Sequence, residues 1–172
     1  MPPADPLGQI TVLYHFTDRR NLPLIREHGG LYPLAQMVAM GIAVPAPGGN
    51  EWSHDADAMK GMDNYVHLCF RPNHPMEFRA RKEGRIKEPI YLEINPEVLH
   101  WNDVKFTPDV ANKSGVRPHT MEEARGLIDF EVLYDRPKWS EEIRKRLQQA
   151  EKYEILVPGH IPLNLIRNLP HG

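Results

Sequence analysis

A carboxylate stands inside an apolar run at residues 152–162, where Glu154 lies among aliphatic side chains bounded by turn residues. This composition predicts a short buried or half-buried strand. With a side-chain period of two, Glu154 shares a face with Leu156 and points away from the more apolar face that carries Ile155. Two explanations stay open: a glutamate on a solvated edge strand, and a catalytic carboxylate fixed on a rigid strand at the floor of a cleft.

Two further strands carry polar side chains that could contact a ligand. Residues 10–15 alternate between apolar and polar positions, so His15 and Thr17 are expected at the C-terminal end of a strand. Residues 64–70 also alternate, which places Tyr65, His67 and Cys69 on one face. His15 alone fits either a ligand contact or a histidine bonded to a nearby carbonyl. Cys69 is interpreted as a small core residue, because no helix N-terminus adjoins it.

Capping and turn signals define the elements that must position these side chains. Short strands interleaved irregularly with short helices predict an α+β fold. Residues 1–9 are expected to form a flexible lead-in, residues 10–172 a single domain, and residues 32–61 a long loop of poor periodicity. The predicted elements are strands at 10–15, 64–70, 89–94 and 104–107, and helices starting near Asp18, Pro75, Thr120 and Ser140.

Composition narrows the class of protein. The chain has 172 residues, 41% of them hydrophobic, and a formal charge of -2, which fits one ordinary core and gives no global attraction to polyanions. A single cysteine cannot form an internal disulfide, and no run is apolar enough for a signal peptide or a membrane span. These observations predict a soluble cytoplasmic protein without membrane partners.

Several common chemistries are not indicated by the motifs. The sequence has no glycine-rich dinucleotide fingerprint and no phosphate loop ending in Gly-Lys-Ser or Gly-Lys-Thr. Its nine histidines lack the spacing of metal ligands, so no metal is expected.

Four segments in order resemble the DarT family of the ADP-ribosyltransferase superfamily, toxins that transfer ADP-ribose to DNA bases. The resemblance covers nearly the whole chain from residue 13 onward. The segments are Tyr-His-Phe-Thr-Asp-Arg-Arg-Asn at 14–21, Asp-Asn-Tyr-Val-His-Leu-Cys-Phe-Arg-Pro at 63–72, Phe-Thr-Pro-Asp-Val-Ala-Asn at 106–112, and Gln-Gln-Ala-Glu-Lys-Tyr-Glu-Ile-Leu-Val-Pro-Gly-His-Ile-Pro at 148–162.

The resemblance implies a split antiparallel sheet with an NAD cleft between its halves. In that family His15 and Thr17 match positions that hold a ribose of NAD, Asn21 lies in the adjoining helix start, and Tyr65 borders the nicotinamide pocket. Glu154 matches the catalytic glutamate. NAD would be the co-substrate, and no metal is implied.

The same resemblance implies a nucleic-acid base as acceptor, single-stranded DNA above all, and a toxin or phage-defence protein with a cognate antitoxin. The family carries a functional arginine ahead of the Tyr65 strand, but no arginine occurs here between Arg26 and Arg71. His54, Lys60 and Arg71 are therefore the candidates for contacting the substrate. The alternatives are a non-catalytic module that binds NAD or single-stranded nucleic acid, and a transferase acting on RNA, protein or a small molecule.

Overall fold

The computed structural model describes residues 4–42, 61–111 and 113–169 of the chain. Helices and short antiparallel strands alternate, which confirms the predicted α+β class. The strands are β1 (Leu13–Asp18), β2 (Gly30–Leu31), β3 (Val66–Leu68), β4 (Pro89–Ile94), β5 (Lys105–Thr107), β6 (His119–Thr120), β7 (Glu154–Val157) and β8 (Ile161–Pro162). The α-helices are α1 (Leu22–Glu27), α2 (Leu34–Ala39), α3 (Pro75–Lys82), α4 (Met121–Leu127) and α5 (Glu141–Ala150).

The main sheets meet at a split. β1 pairs with β4, while β3, β7, β5 and β6 form a four-stranded sheet in that order; β2 and β8 make a separate small ribbon. β1 reaches β3 through one isolated antiparallel bridge, in which the backbone groups of Tyr14 and Cys69 exchange hydrogen bonds of 2.9 and 2.8 Å. Among the described residues this is the only bridge between β1 and β3, which otherwise belong to different sheets.

The four-stranded sheet has two different faces. One face packs into the main hydrophobic core through Leu68, Phe106 and Ile155, all of which are fully buried. The other face carries Glu154 and His67, because residues in register alternate between faces. The alternation predicted for β3 and β7 is therefore confirmed.

The position of β7 corrects one of the explanations for Glu154. β7 lies between β3 and β5, so it is a central strand, and all four of its residues are buried. The explanation of Glu154 as a residue of a solvated edge strand is wrong, because β7 pairs with residues 66–68 on one side and with residues 105–107 on the other. This pairing is not encoded in the local pattern of residues 152–162.

The predicted caps form with small shifts in the element boundaries. Thr120 and Glu123 make a capping box at the start of α4, and the Ser140 hydroxyl accepts from the Ile143 amide at the start of α5. Asp18 caps a 3-10 turn at Arg19–Asn21 rather than the α-helix itself, and α1 follows directly. β1 extends to Asp18, so it brings both His15 and Thr17 inside the strand.

Two short helical elements lie in stretches where the sequence pattern indicates no regular element. Pro6–Gln9 forms a 3-10 turn with Leu7 buried, and Asp5 makes an ion pair with Arg125 at 2.9 Å. α2 occupies the first part of the region expected to be a long loop. Within the described part of the chain, no helix is both long and apolar enough to cross a membrane.

Candidate active site

Glu154 opens β7 with its carboxylate held at both oxygens. Its side chain is 8% exposed, Oε1 lies 2.7 Å from Nδ1 of His67, and Oε2 accepts a 2.6 Å hydrogen bond from the Ala111 amide. Nε2 of His74 lies 4.0 Å from Oε2. A carboxylate fixed in this way has a defined orientation, which is the first requirement for acting on a bound molecule.

His67 connects Glu154 to the backbone of the preceding turn. It lies on β3, in register with Leu156 and diagonal to Glu154 on the same sheet face. Its Nδ1 contacts the carboxylate, and its Nε2 donates to the Met62 carbonyl oxygen at 2.8 Å. The ring is therefore held at both nitrogens.

His74 approaches the carboxylate from the start of α3. As the N-cap residue it accepts through Nδ1 from the Met76 amide at 3.1 Å, which leaves the hydrogen on Nε2. Nε2 is buried and has no hydrogen-bond partner among the described residues, and the ring stacks against Phe16 at 5.8 Å. Burial lowers the pKa of His74 despite the nearby Glu154 charge, so the ring is neutral near pH 7.

The carboxylate of Glu154 is nevertheless ionised. Burial by itself would raise the pKa of Glu154, but the hydrogen bond from His67, the charge of His67 and the hydrogen bond from the Ala111 amide together bring the pKa below its ordinary value. A buried charge kept in this way is typical of a functional site.

His15 lies across the split from Glu154, on β1. Its Nδ1 donates to the His67 carbonyl oxygen at 2.9 Å, and this contact links β1 to β3 one position beyond the Tyr14 bridge. Burial lowers the pKa of His15 more than the hydrogen bond raises it. The neutral ring therefore presents Nε2 as a hydrogen-bond acceptor, which suits a sugar hydroxyl.

Thr17 and Asn21 lie further along the same segment and contact each other. The Asn21 amide donates to the Thr17 hydroxyl at 2.9 Å; Thr17 is 6% exposed and Asn21 is 5% exposed. This pair fixes the turn between β1 and α1.

Tyr65 precedes β3 on the Glu154 side of the sheet. It is half-buried and packs against a small apolar cluster of Met62, Ala111 and Leu156. Its ring is therefore both supported from behind and partly open, as a stacking surface for a flat ligand would be.

The predicted substrate contacts are only partly described. Arg71 donates through Nε to Glu151 at 3.2 Å, and its side chain is 42% exposed. Glu151, which lies three residues before Glu154 in the chain, also accepts from Asn73 at 2.9 Å, so Glu151 holds both side chains. His54 and Lys60 lie outside the described residues.

Sequence reasoning missed the groups that touch the carboxylate. The alternation of residues 64–70 assigns His67 to the correct face of its strand but does not predict its contact with Glu154, because that contact depends on the pairing of β3 with β7. His74 carried a weaker signal, as the residue before Pro75. The Ala111 amide carries none, because a backbone donor does not depend on residue type. In the described ranges, no cluster of three or more His, Cys, Asp or Glu side chains is placed to hold a metal ion.

Glu154 is a fixed, ionised carboxylate on the four-stranded sheet, next to the β1–β4 pair, and this fits the catalytic glutamate beside a split sheet that the resemblance to ADP-ribosyltransferases implies. The sequence matches a family model over residues 14–169, and that family is described as the ssDNA thymidine ADP-ribosyltransferase DarT. The chain belongs to the DarT family, which confirms the predicted membership. No curated protein matches the sequence significantly.

Solved structures support the same fold. Thermosipho africanus DarTG in complex with ADP-ribose superposes with a TM-score of 0.68 at 20% identity, over 91% of this chain and 42% of that one. Thermus sp. 2.9 DarT in complex with ADP-ribosylated ssDNA gives 0.66 at 19% identity, over 92% of this chain and 79% of that one. The same Thermus protein in complex with NAD+ gives a TM-score of 0.59. The chain thus spans less than half of the Thermosipho chain and about four-fifths of the Thermus chain.

Proposed function

We propose that this protein cleaves NAD and transfers the ADP-ribosyl group to thymidine in single-stranded DNA, releasing nicotinamide and a proton. The observation that carries the proposal is the carboxylate of Glu154, which two hydrogen-bond donors fix on the face of β7 opposite the main hydrophobic core. Membership of the DarT family supplies the acceptor.

Glu154 acts on charge that develops during bond cleavage. Loss of nicotinamide leaves positive charge on the ribose, as in the oxocarbenium-like transition states of glycosidases. An ionised carboxylate bound to a ribose hydroxyl attracts that charge more strongly in the transition state than in the bound substrate. Because the hydrogen bonds of His67 and Ala111 fix the carboxylate beforehand, little reorganisation is needed.

Four residues hold NAD in this proposal. His15 accepts from a ribose hydroxyl through Nε2, and Tyr65 stacks on the nicotinamide ring with the small apolar cluster behind it. Thr17 and Asn21 hold the backbone of the β1–α1 turn against the dinucleotide and contribute their remaining hydrogen-bonding capacity to a ribose. Together they would keep the nucleotide bent for reaction.

Arg71 is the described candidate for contacting the DNA strand. Its guanidinium is partly exposed and lies at the same end of β7 as Glu154, and α3 follows with three further basic residues in its last turn. Basic side chains of this kind bind the phosphates of a DNA backbone. His54 and Lys60 complete the proposed set of substrate contacts.

The test is transfer of label from NAD to defined acceptors. Purified protein is mixed with adenine-labelled NAD and with single-stranded oligonucleotides that contain or lack thymidine, and with duplex DNA, RNA and protein extract. Glu154→Gln removes the charge and keeps the shape, and Glu122→Gln, at an exposed position in the first turn of α4, is the matched control. We expect label only on thymidine-containing single strands, with loss in Glu154→Gln alone.

Other outcomes of this assay separate the alternatives. Label on RNA or protein would show that the protein is a transferase with an acceptor other than thymidine in single-stranded DNA. Binding of NAD without nicotinamide release or label would contradict catalysis and support a binding module. A toxin role in the cytoplasm with a cognate antitoxin is also part of the proposal: expression of the wild type, but not of Glu154→Gln, should stop growth of a bacterial host.

A further inference from the structure

The imidazole of His67 is held between two oxygen atoms, and its role is not explained by NAD binding. We infer that His67 is a positioning residue for Glu154: a single proton shared between Nδ1 and Oε1 holds the carboxylate, and Nε2 anchors the ring to the backbone. This inference rests on the proposed function, because it explains how Glu154 is kept ready for transfer.

The two oxygen partners of the His67 ring require a hydrogen on each of its nitrogens. The Met62 carbonyl oxygen can only accept, so Nε2, at 2.8 Å, must carry a hydrogen. An ionised carboxylate can also only accept, so the 2.7 Å contact between Nδ1 and Oε1 of Glu154 needs a second hydrogen. This distance is at the short end for a charge-assisted hydrogen bond. Removing the proton would leave a ring lone pair facing a carboxylate lone pair.

The other titratable groups around the pair do not compete for this proton. His74 approaches from the N-cap of α3, Cys69 from the position after β3 and His15 from β1, while the charge of Asp109 acts on His74 from the loop after β5. Burial lowers the pKa of both histidines and raises that of Cys69, so all three are neutral near pH 7. Hydrogen bonds from the Val110 amide and from the Lys113 and Gln149 side chains, in spite of burial, lower the pKa of Asp109, which stays ionised.

The shared proton makes the reaction dependent on pH in both directions. With one proton in the pair, Glu154 is oriented and ionised while the ring carries the charge. At high pH the proton leaves and Oε1 loses its donor, so the carboxylate is free to rotate. At low pH a second proton neutralises Glu154, which removes its attraction for the ribose cation. The rate of NAD cleavage should therefore follow a bell-shaped pH profile.

Two substitutions of His67 test whether its ring positions the Glu154 carboxylate or only fills space. His67→Leu removes both donors, and we expect a fall in kcat of about 100-fold with a change in KM for NAD of less than about threefold. His67→Gln keeps an amide donor that does not titrate, so it should retain more activity and lose the alkaline limb of the profile. His119→Gln, on β6 at the far edge of the sheet, is the matched control and should leave the profile unchanged.

A double-mutant cycle tests whether His67 acts through Glu154. In the Glu154→Gln background, His67→Leu should lower the residual rate by less than about twofold, because the group it positions is already gone. An equal loss in both backgrounds, or a wild-type pH profile in His67→Gln, would overturn the inference. Circular dichroism and NAD affinity of each variant show that it is folded.

A measurement without turnover keeps the inference separate from the proposed function. In NMR titrations of the histidine rings, Glu154→Gln should lower the pH at which His67 loses its proton, because the carboxylate stabilises the charged ring. An unchanged titration would overturn the shared proton even if the enzyme is active. If the wild type cleaves no NAD while the titration shifts, the proposed function fails and the proton-sharing pair stands.

Discussion

Nδ1 of His15 donates to the carbonyl oxygen of His67 across the line where β1 and β3 diverge, at a distance of 2.9 Å. The same residue whose ring holds Glu154 thus offers its backbone to the histidine on the opposite side of the split. The two sides of the candidate cleft are therefore connected through His67.

His15 should contribute separately to stability and to NAD binding. His15→Asn offers an amide to the His67 carbonyl but has no ring nitrogen for the ribose, whereas His15→Leu has neither. We expect both variants to bind NAD at least about tenfold more weakly, and only His15→Leu to lose about 1 kcal/mol in the free energy of unfolding. Calorimetric titration and denaturant unfolding measure the two effects. Wild-type affinity in His15→Asn would exclude the ribose contact.

The buried pair of Thr17 and Asn21 should respond to loss of the hydroxyl. Thr17→Val leaves the Asn21 amide without its 2.9 Å acceptor, and we expect a loss of about 1–2 kcal/mol in unfolding free energy and about tenfold weaker NAD binding. Thr17→Ser retains the hydroxyl and should retain both properties. If Thr17→Val is destabilised but binds NAD normally, the pair is structural only.

Tyr65 should act through its ring rather than its hydroxyl. Tyr65→Phe keeps the stacking surface over Met62, Ala111 and Leu156, so KM for NAD should stay within about threefold of wild type. Tyr65→Ala removes the surface, and a stacking energy of about 1 kcal/mol corresponds to a rise in KM of about fivefold. Steady-state nicotinamide release measures both variants. Equal effects of the two changes would argue against stacking.

Asp18, at the end of β1, should make the free energy of unfolding of the protein depend on pH. Its side chain is fully buried and accepts from the Arg20 guanidinium and the amides of Arg20 and Lys87, and these bonds hold the pKa of Asp18 well below its ordinary value. Because this pKa is lowered by folding, the stabilisation is complete above the ordinary value and is lost as the pH falls toward the folded value.

Asp18→Asn should therefore lower the free energy of unfolding by about 2 kcal/mol at pH 7 and by less at pH 3. At pH 3 the Asp18 carboxylate of the wild type is partly protonated in the unfolded state but stays ionised in the folded state, so the wild type itself is less stable. Urea unfolding at the two pH values measures the difference. Asp63→Asn, a partly exposed carboxylate in the turn before β3, is the control for a general charge effect. A constant difference between wild type and Asp18→Asn would contradict this account.

Much of the site could be predicted because side-chain alternation is a local property. The pattern of residues 64–70 and 152–162 correctly placed Tyr65, His67 and Glu154 on faces turned away from the core. Pairing of the strands is not local. β3 and β7 join residues as far apart as His67 and Glu154, 87 positions along the chain, so the central position of β7 could not be inferred from either segment.

The family resemblance supplied what alternation could not. It implies that His15 and Glu154 belong to one NAD site, although it gives no indication of His67 as a partner of the carboxylate. The Ala111 amide was beyond both kinds of reasoning, since it depends on how the chain turns after β5. Contacts made by backbone groups become visible only when the fold is known.

The place of β7 in the sheet has a consequence for the order of events during synthesis on the ribosome. β3 and β5 emerge first, but they are not neighbours, because β7 lies between them. The strand that joins them also carries Glu154. A nascent chain therefore has no assembled candidate site until β7 has been synthesised and inserted between β3 and β5.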